Sequence, residues 1–475
     1  MNRYKNGFLT ILLLIGITSA ALAYMGASES SVSSPLAPVG IVGGNDIITV
    51  HTALTQDKVM KGTDGNVSVA LTLSAKNFQL STANKIQPVD LVVVLDRSGS
   101  MNGRKLHDAK KAVINLLDQL TYQDRISIIT YSNGVEIISP LVHVNDSSRE
   151  NLSSLVNRIN SGGGTNLGGG LKNGITALMQ TSETDRQRKV ILISDGLANH
   201  GITNPAELGA MAANGSEYGL VVSTVGVGYD FNEVLMTTIA DHGAGNYYFL
   251  ESPQDFASVF EKEFKTTRNV AAAGIEVRVP LRDGVQLTGA GGFPIRIEGN
   301  VAVIRPGNLL AGQQRKIFLS YRVPTKQERT FSLGNIKIHY QHDGESEIVI
   351  DPEELSIACV QNQDEVIASI DETVWTEQVL KEDYSRLKEN VATAIRTGKK
   401  DEALQAIEEY EDRNASINSS VDSDKVSQNL EEDVNVLRQS VQSTFAGAPA
   451  AVAEKKKQHA KSLQYESYQV RRDKK

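Results

Sequence analysis

Asp96, Ser98 and Ser100 stand at alternate positions in Asp96-Arg97-Ser98-Gly99-Ser100, one carboxylate and two hydroxyls spaced to converge on one small cation. All three are hard oxygen donors of the kind that Mg²⁺ prefers. Gly99 permits the tight bend that brings them together. The segment follows directly on Leu91-Val92-Val93-Val94-Leu95, a run without polar alternation that suits a strand buried on both faces of a parallel sheet. A loop leaving such a strand lies at the sheet's carboxyl edge, where ligands bind in open α/β folds. Taken alone the pattern is weak, because small polar residues close together commonly make turns or cap helices.

Two further segments strengthen it. Gly162-Gly163-Gly164-Thr165-Asn166 offers a third hydroxyl on a glycine-rich loop, and Val190-Ile191-Leu192-Ile193 ends in Ser194-Asp195-Gly196, a second buried strand delivering a second carboxylate to the same edge. Asp96, Ser98, Ser100, Thr165 and Asp195, in this order and context, resemble the metal-ion-dependent adhesion site of von Willebrand factor type A domains. All five positions carry the family's residue types, and the resemblance runs over about 88–268. It implies a doubly wound, Rossmann-like α/β domain that holds one divalent cation, Mg²⁺ first, with Mn²⁺ or Ca²⁺ as alternatives. Ser98, Ser100 and Thr165 would coordinate through hydroxyls, and Asp96 and Asp195 largely through bound waters. Hydroxyls add no charge, so the ion keeps the capacity to accept an Asp or Glu from a partner protein. The resemblance also implies that ligand binding moves Thr165 and shifts the last helix of the domain, near 253–267.

The chain around this domain is long enough for about three domains. Its 475 residues carry 48 Lys and Arg against 56 Asp and Glu, a formal net charge of −8 that argues against a nucleic-acid partner. Arg3 and Lys5, the apolar stretch 8–17 and Ala21-Leu22-Ala23 have the layout of a secretory signal peptide cleaved after Ala23. An uncleaved segment associating with the membrane is the alternative. Export to the periplasm or cell surface follows from either. A single cysteine, Cys359, permits no intramolecular disulfide, and its strand-like surroundings read as a buried small apolar residue.

A flexible leader is expected over 24–45 and strands over 46–87, clearest where Val67, Val69, Leu71 and Leu73 alternate with small polar residues, the mark of a half-buried strand. Strands and helices alternate over 88–268, with Asn133-Gly134 turning a hairpin. Over 269–361 the helical period gives way to strand-like runs separated by turn residues, a β-sandwich. The strands of 46–87 need partners and are expected to join this sandwich, making the α/β domain an insertion. A helical region follows over 362–445, with a loop expected at 414–424, and then a low-complexity basic tail over 446–475.

Catalytic residues are not expected. The eight histidines are scattered, and His339 and His342 fall on opposite faces of a strand-like run. Neither a phosphate-binding G-x-x-x-x-G-K-[ST] loop nor a G-x-S-x-G elbow occurs. The reading is metal-dependent protein–protein interaction by an assembly or scaffold subunit of the cell envelope. A cell-surface adhesin or ligand-capture protein is the second reading, and a metal-dependent enzyme the third.

Overall fold

A computed structural model describes residues 42–77, 87–180, 186–252, 255–352 and 354–472. The expected signal peptide at 1–23 and most of the expected leader lie outside these residues. Where the leader was expected to continue, Val42–Gly44 instead forms a strand, because Ile48–Leu54, folded back through the turn at Asn45, pairs antiparallel with it through Thr49, Val50 and His51.

The strand Val89–Asp96 is buried along its whole length at the centre of a six-stranded sheet. It pairs in parallel with Arg125–Tyr131 on one side and Gln187–Ser194 on the other. Leu220–Val227 and Ala244–Leu250 continue the parallel order outward on the second side, and the antiparallel strand Val135–His143 closes the first. Side chains alternate across a strand, so the apolar run divides between two cores. Leu91, Val93 and Leu95 pack with Leu106, Val113 and Leu117 of helix Arg104–Gln119 and Phe260 of helix Phe256–Arg268. Val92 and Val94 pack on the other face with Leu171 and Leu178 of helix Leu167–Met179 and Ile239 of helix Glu233–His242. Chain order reverses at Val89–Asp96, which makes its carboxyl end and that of Gln187–Ser194 the topological switch point where ligands settle in such sheets.

Strands from both sides of this domain share one sheet. Asn66–Ala75 pairs antiparallel with Ile48–Leu54 and with Gln314–Arg322, Leu71 standing opposite Ile317 and Val69 opposite Leu319. A second five-stranded sheet, centred on Val270–Pro280, faces it across a core containing Val50, Leu73, Ile275, Val277, Ile304 and Ile338. Three shorter strands, Lys58–Met60, Arg329–Gly334 and Leu355–Val360, form a third sheet. The half-buried strand expected at 66–74 is buried on both faces. Its outer side meets Phe318 and helix Glu372–Gln378, where Val374 packs on Ala70.

The C-terminal region departs further from expectation. The predicted loop at 414–424 lies mostly within helix Lys400–Val421, which ends at Asp422 with φ 61°. Asn414 and Asn418 are buried there, and each spends its amide on the chain, Asn414 on Tyr410 O (2.9 Å) and Asn418 on Ser423 O (3.1 Å). Polar residues that read as a loop signal are thus satisfied inside a helix. The predicted basic tail is helix Pro449–Arg471, whose Ala460 and Leu463 join the core of the helical region. Among the described residues no helix is long and apolar enough to cross a membrane.

Candidate metal centre

The loops leaving the two central strands bring the sequence-predicted oxygens together. Asp96 and Asp195 are fully buried, Ser98 and Thr165 nearly so, and Ser100 faces solvent. The Ser98 and Ser100 hydroxyl oxygens are 3.0 Å apart, and the Ser100 hydroxyl donates to Asp195 Oδ1 at 2.7 Å. Around Mg²⁺ with bonds of 2.0–2.1 Å, neighbouring oxygens of an octahedron are separated by about 2.9 Å, so this spacing suits a shared hard cation. Thr165 belongs to the same group. A Cβ built on Gly196 would stand 3.1 Å from Ser100 Oγ and 3.7 Å from Thr165 Oγ1. Glycine at 196 therefore keeps carbon out of the space between these hydroxyls.

Backbone hydrogen bonds hold the three loops in register. Gly99 N–H donates to Gly163 O (3.0 Å) and Gly162 N–H to Arg97 O (2.8 Å), stitching the first loop to the second. Asn199 Oδ1 accepts from Thr165 N–H (2.8 Å) while Asn199 N–H donates to Thr165 O (3.1 Å), stitching the second to the third. Asn133 Oδ1 accepts from Gly164 N–H (2.6 Å), and His200 covers the position a Gly164 side chain would need.

The two carboxylates differ in their counter-charges. Asp195 Oδ2 accepts from the Lys105 ammonium at 2.6 Å. Asp96 accepts from Ser98 N–H (2.7 Å) and the Ser194 hydroxyl (2.9 Å), with no Lys or Arg against it among the described residues. Burial pushes the Asp96 carboxyl up to about 6, against the hydrogen bonds from Ser98 and Ser194, which hold it down. A fully buried carboxylate without a basic partner, beside uncharged hydroxyls, is a site that lacks positive charge. The donor set thus fits a divalent cation: Asp96, Ser98, Ser100, Thr165 and Asp195 would hold it.

Sequence reasoning missed Lys105, Ser194, Asn133 and Asn199. Lys105 sits in the first turn of helix Arg104–Gln119, where a lysine reads as a solvated face, and its reach back to Asp195 depends on the strand crossover. Asn199 follows the second carboxylate by four residues and carried no pattern of its own.

Comparison with known proteins agrees with this architecture. The von Willebrand factor type A domain family matches residues 90–262. An uncharacterized protein of Synechocystis, sll0103, is 26% identical over 333 residues, covering 66% of this chain and 78% of its own. Escherichia coli YfbK, also uncharacterized, is 28% identical over 192 residues, 40% of this chain and 33% of its own, so the match spans a third of that longer relative. The solved structure of a von Willebrand factor type A protein from Catenulispora acidiphila covers 90% of this chain and 97% of its own at 16% identity, with a TM-score of 0.66. That likeness concerns the fold, and it extends beyond the α/β domain to the additional sheets and the C-terminal helices. Residues 90–262 of this chain therefore form a von Willebrand factor type A domain, set among additional sheets and a C-terminal helical region.

Proposed function

We propose that this protein is a metal-dependent interaction module, one that binds a divalent cation at Asp96, Ser98, Ser100, Thr165 and Asp195 and presents it to an Asp or Glu of a partner protein. The observation that carries this reading is the pair of fully buried carboxylates converging with two serine hydroxyls at the switch point of the sheet. The cation supplies a coordination position for the outside carboxylate. The chain's own residues set the charge balance that makes this favourable. Asp96 and Asp195 contribute two negative charges and Lys105 one positive, so the side chains total −1 and a divalent ion turns the site to +1. Ser100, exposed at the rim, marks where the partner arrives. Leu197, which follows Gly196 of the site in the chain, is 59% exposed, an apolar contact for the residue next to the partner's acid.

Binding rather than catalysis is the role we assign, with an exported assembly or scaffold subunit of the cell envelope as the setting, on the signal-like composition of residues 1–23. Adhesion to a surface-borne ligand is the second reading, since the same site serves either. Tagged full-length protein mixed with envelope extract in Mg²⁺ or in EDTA separates the two. One stoichiometric, EDTA-sensitive envelope partner, lost in Asp195→Ala, supports assembly. Binding that is indifferent to both EDTA and Asp195→Ala contradicts the metal-site reading altogether.

A further inference from the structure

Arg97 lies between two of the residues we assign to the cation, and its backbone is tied on both sides: its N–H donates to Tyr131 O (2.9 Å) and its carbonyl accepts from Gly162 N–H (2.8 Å). Its side chain is thereby directed into a cavity of about 350 Å³ next to the metal loop. Glu136 and Ile138 of the edge strand Val135–His143 form one wall, and Leu155, Arg158 and Ile159 at the end of helix Asp146–Asn157 form the other.

The charge in this groove is unbalanced. Glu136 approaches Arg97 at 3.5 Å, longer than the 2.7–2.9 Å of a charge-assisted hydrogen bond, and it is 60% exposed. Arg97 Nε is buried with no hydrogen-bond partner among the described residues. Arg158 adds a second guanidinium, which donates to Ser154 Oγ at 2.9 Å. Two guanidiniums thus share one loosely held carboxylate, and the planar fork of Arg97, whose side chain is 28% exposed, is matched by a second carboxylate. The apolar component is at hand as well, since Ile138 of the outermost strand and Leu155 of the facing helix are only half-buried where they line it.

We propose that this groove receives a second acidic side chain from the same partner segment, so that the ligand is an extended peptide with two carboxylates, one for the cation and one for Arg97, and an apolar residue against Ile138 and Leu155. The proposal rests on the cation site acting as a carboxylate receptor. Arg97 adjoins Ser98, and an extended chain advances about 3.3 Å per residue, so the two acids stand about two to four residues apart. Arg97 here decides specificity and is no cation ligand.

The test is a selection from a displayed library of random peptides of about 12 residues on the full-length protein in Mg²⁺, eluted with EDTA, followed by affinities of the enriched peptides. The expected result is a consensus with two acids at that spacing. Changing either acid to Gln lowers affinity by about tenfold or more, and Arg97→Gln abolishes the preference for the second acid without altering Mg²⁺ affinity. Glu136→Gln, which removes the competing carboxylate, tightens binding of the same peptide. EDTA-sensitive peptides with a single required acid, indifferent to Arg97→Gln and Glu136→Gln, overturn the groove and leave the cation reading standing. A library that yields no EDTA-sensitive peptide overturns both.

Discussion

The two edges of the six-stranded sheet are treated differently by the rest of the chain. At one edge, Ala244–Leu250 is covered by helix Pro449–Arg471. Tyr468, 1% exposed, enters the core of the α/β domain, its hydroxyl accepts from Tyr247 N–H (2.9 Å), and its ring meets that of Tyr247 edge-on at 5.5 Å. Beside it Lys461 reaches Glu233 at 2.8 Å and Phe231 O at 2.6 Å, and Arg396 reaches Glu233 at 2.6 Å. At the opposite edge, Val135–His143 keeps Ile137 in solvent and borders the Arg97 groove. An uncovered edge strand with an apolar side chain is a liability unless something binds there. The covered edge belongs to stability, and the open one, next to the candidate cation site, is the edge we propose for recognition.

Paired substitutions at the two edges test that division. Tyr468→Ala should cost about 3–5 kcal/mol, the range for truncating a large buried aromatic side chain, seen as a fall in the denaturant midpoint. The matching change at the open edge, Ile137→Ser, should stay within about 0.5 kcal/mol. Comparable losses at both edges would break the comparison.

Glu233→Gln comes next. Glu233 and Lys461 are 8% and 5% exposed, and leaving Lys461 without its partner costs about 3 kcal/mol. Burial alone would raise the Glu233 carboxyl, but Lys461 and Arg396 outweigh it and hold it below its ordinary value of 4.5. A carboxyl lowered in the folded state contributes stability that is present above its unfolded value and lost as pH falls through the folded one. Wild type should therefore lose stability below about pH 4.5 more steeply than Glu233→Gln, measured by denaturation across that range. Parallel curves would contradict the assignment.

Lys105→Met has a smaller effect and two signs. Without the ammonium, Mg²⁺ affinity should rise by about tenfold, or 1.4 kcal/mol. Binding of an acidic ligand should weaken, because the loaded site then carries no net positive charge. Calorimetry with Mg²⁺ and then with ligand reads both, and a fall in Mg²⁺ affinity would show that Lys105 instead positions Asp195. Smallest is Gly196→Ala, whose methyl would press on Ser100 and Thr165 and weaken Mg²⁺ severalfold while leaving the EDTA-state melting temperature unchanged within error.

The α/β domain and its oxygen donors were legible in the sequence because unbroken runs such as Leu91–Val94 have one physical solution, a strand buried on both faces, and because small polar residues directly after two such runs must share an edge. The covered edge was not legible. Lys455-Lys456-Lys457 dominates the composition of the last helix, and the informative pair, Tyr465 and Tyr468, is three residues apart on one helical face. Lys461 reads as solvent-facing, yet its charge is neutralised by Glu233 more than two hundred residues earlier. The helix through Asn414 and Asn418 was obscured for another reason: Asn and Ser read as loop formers, and the local bonds to Tyr410 O and Ser423 O that satisfy the two amides exist only once the helix has formed.

The measurement that bears most directly on the central claim is calorimetric titration of Mg²⁺ into EDTA-stripped protein, wild type and Ser98→Ala. The account predicts one ion per chain for wild type, with affinity reduced at least about tenfold in Ser98→Ala and an unchanged melting temperature in EDTA. Equal affinity in the two proteins, or no binding of Mg²⁺, Mn²⁺ or Ca²⁺ by wild type, would contradict it.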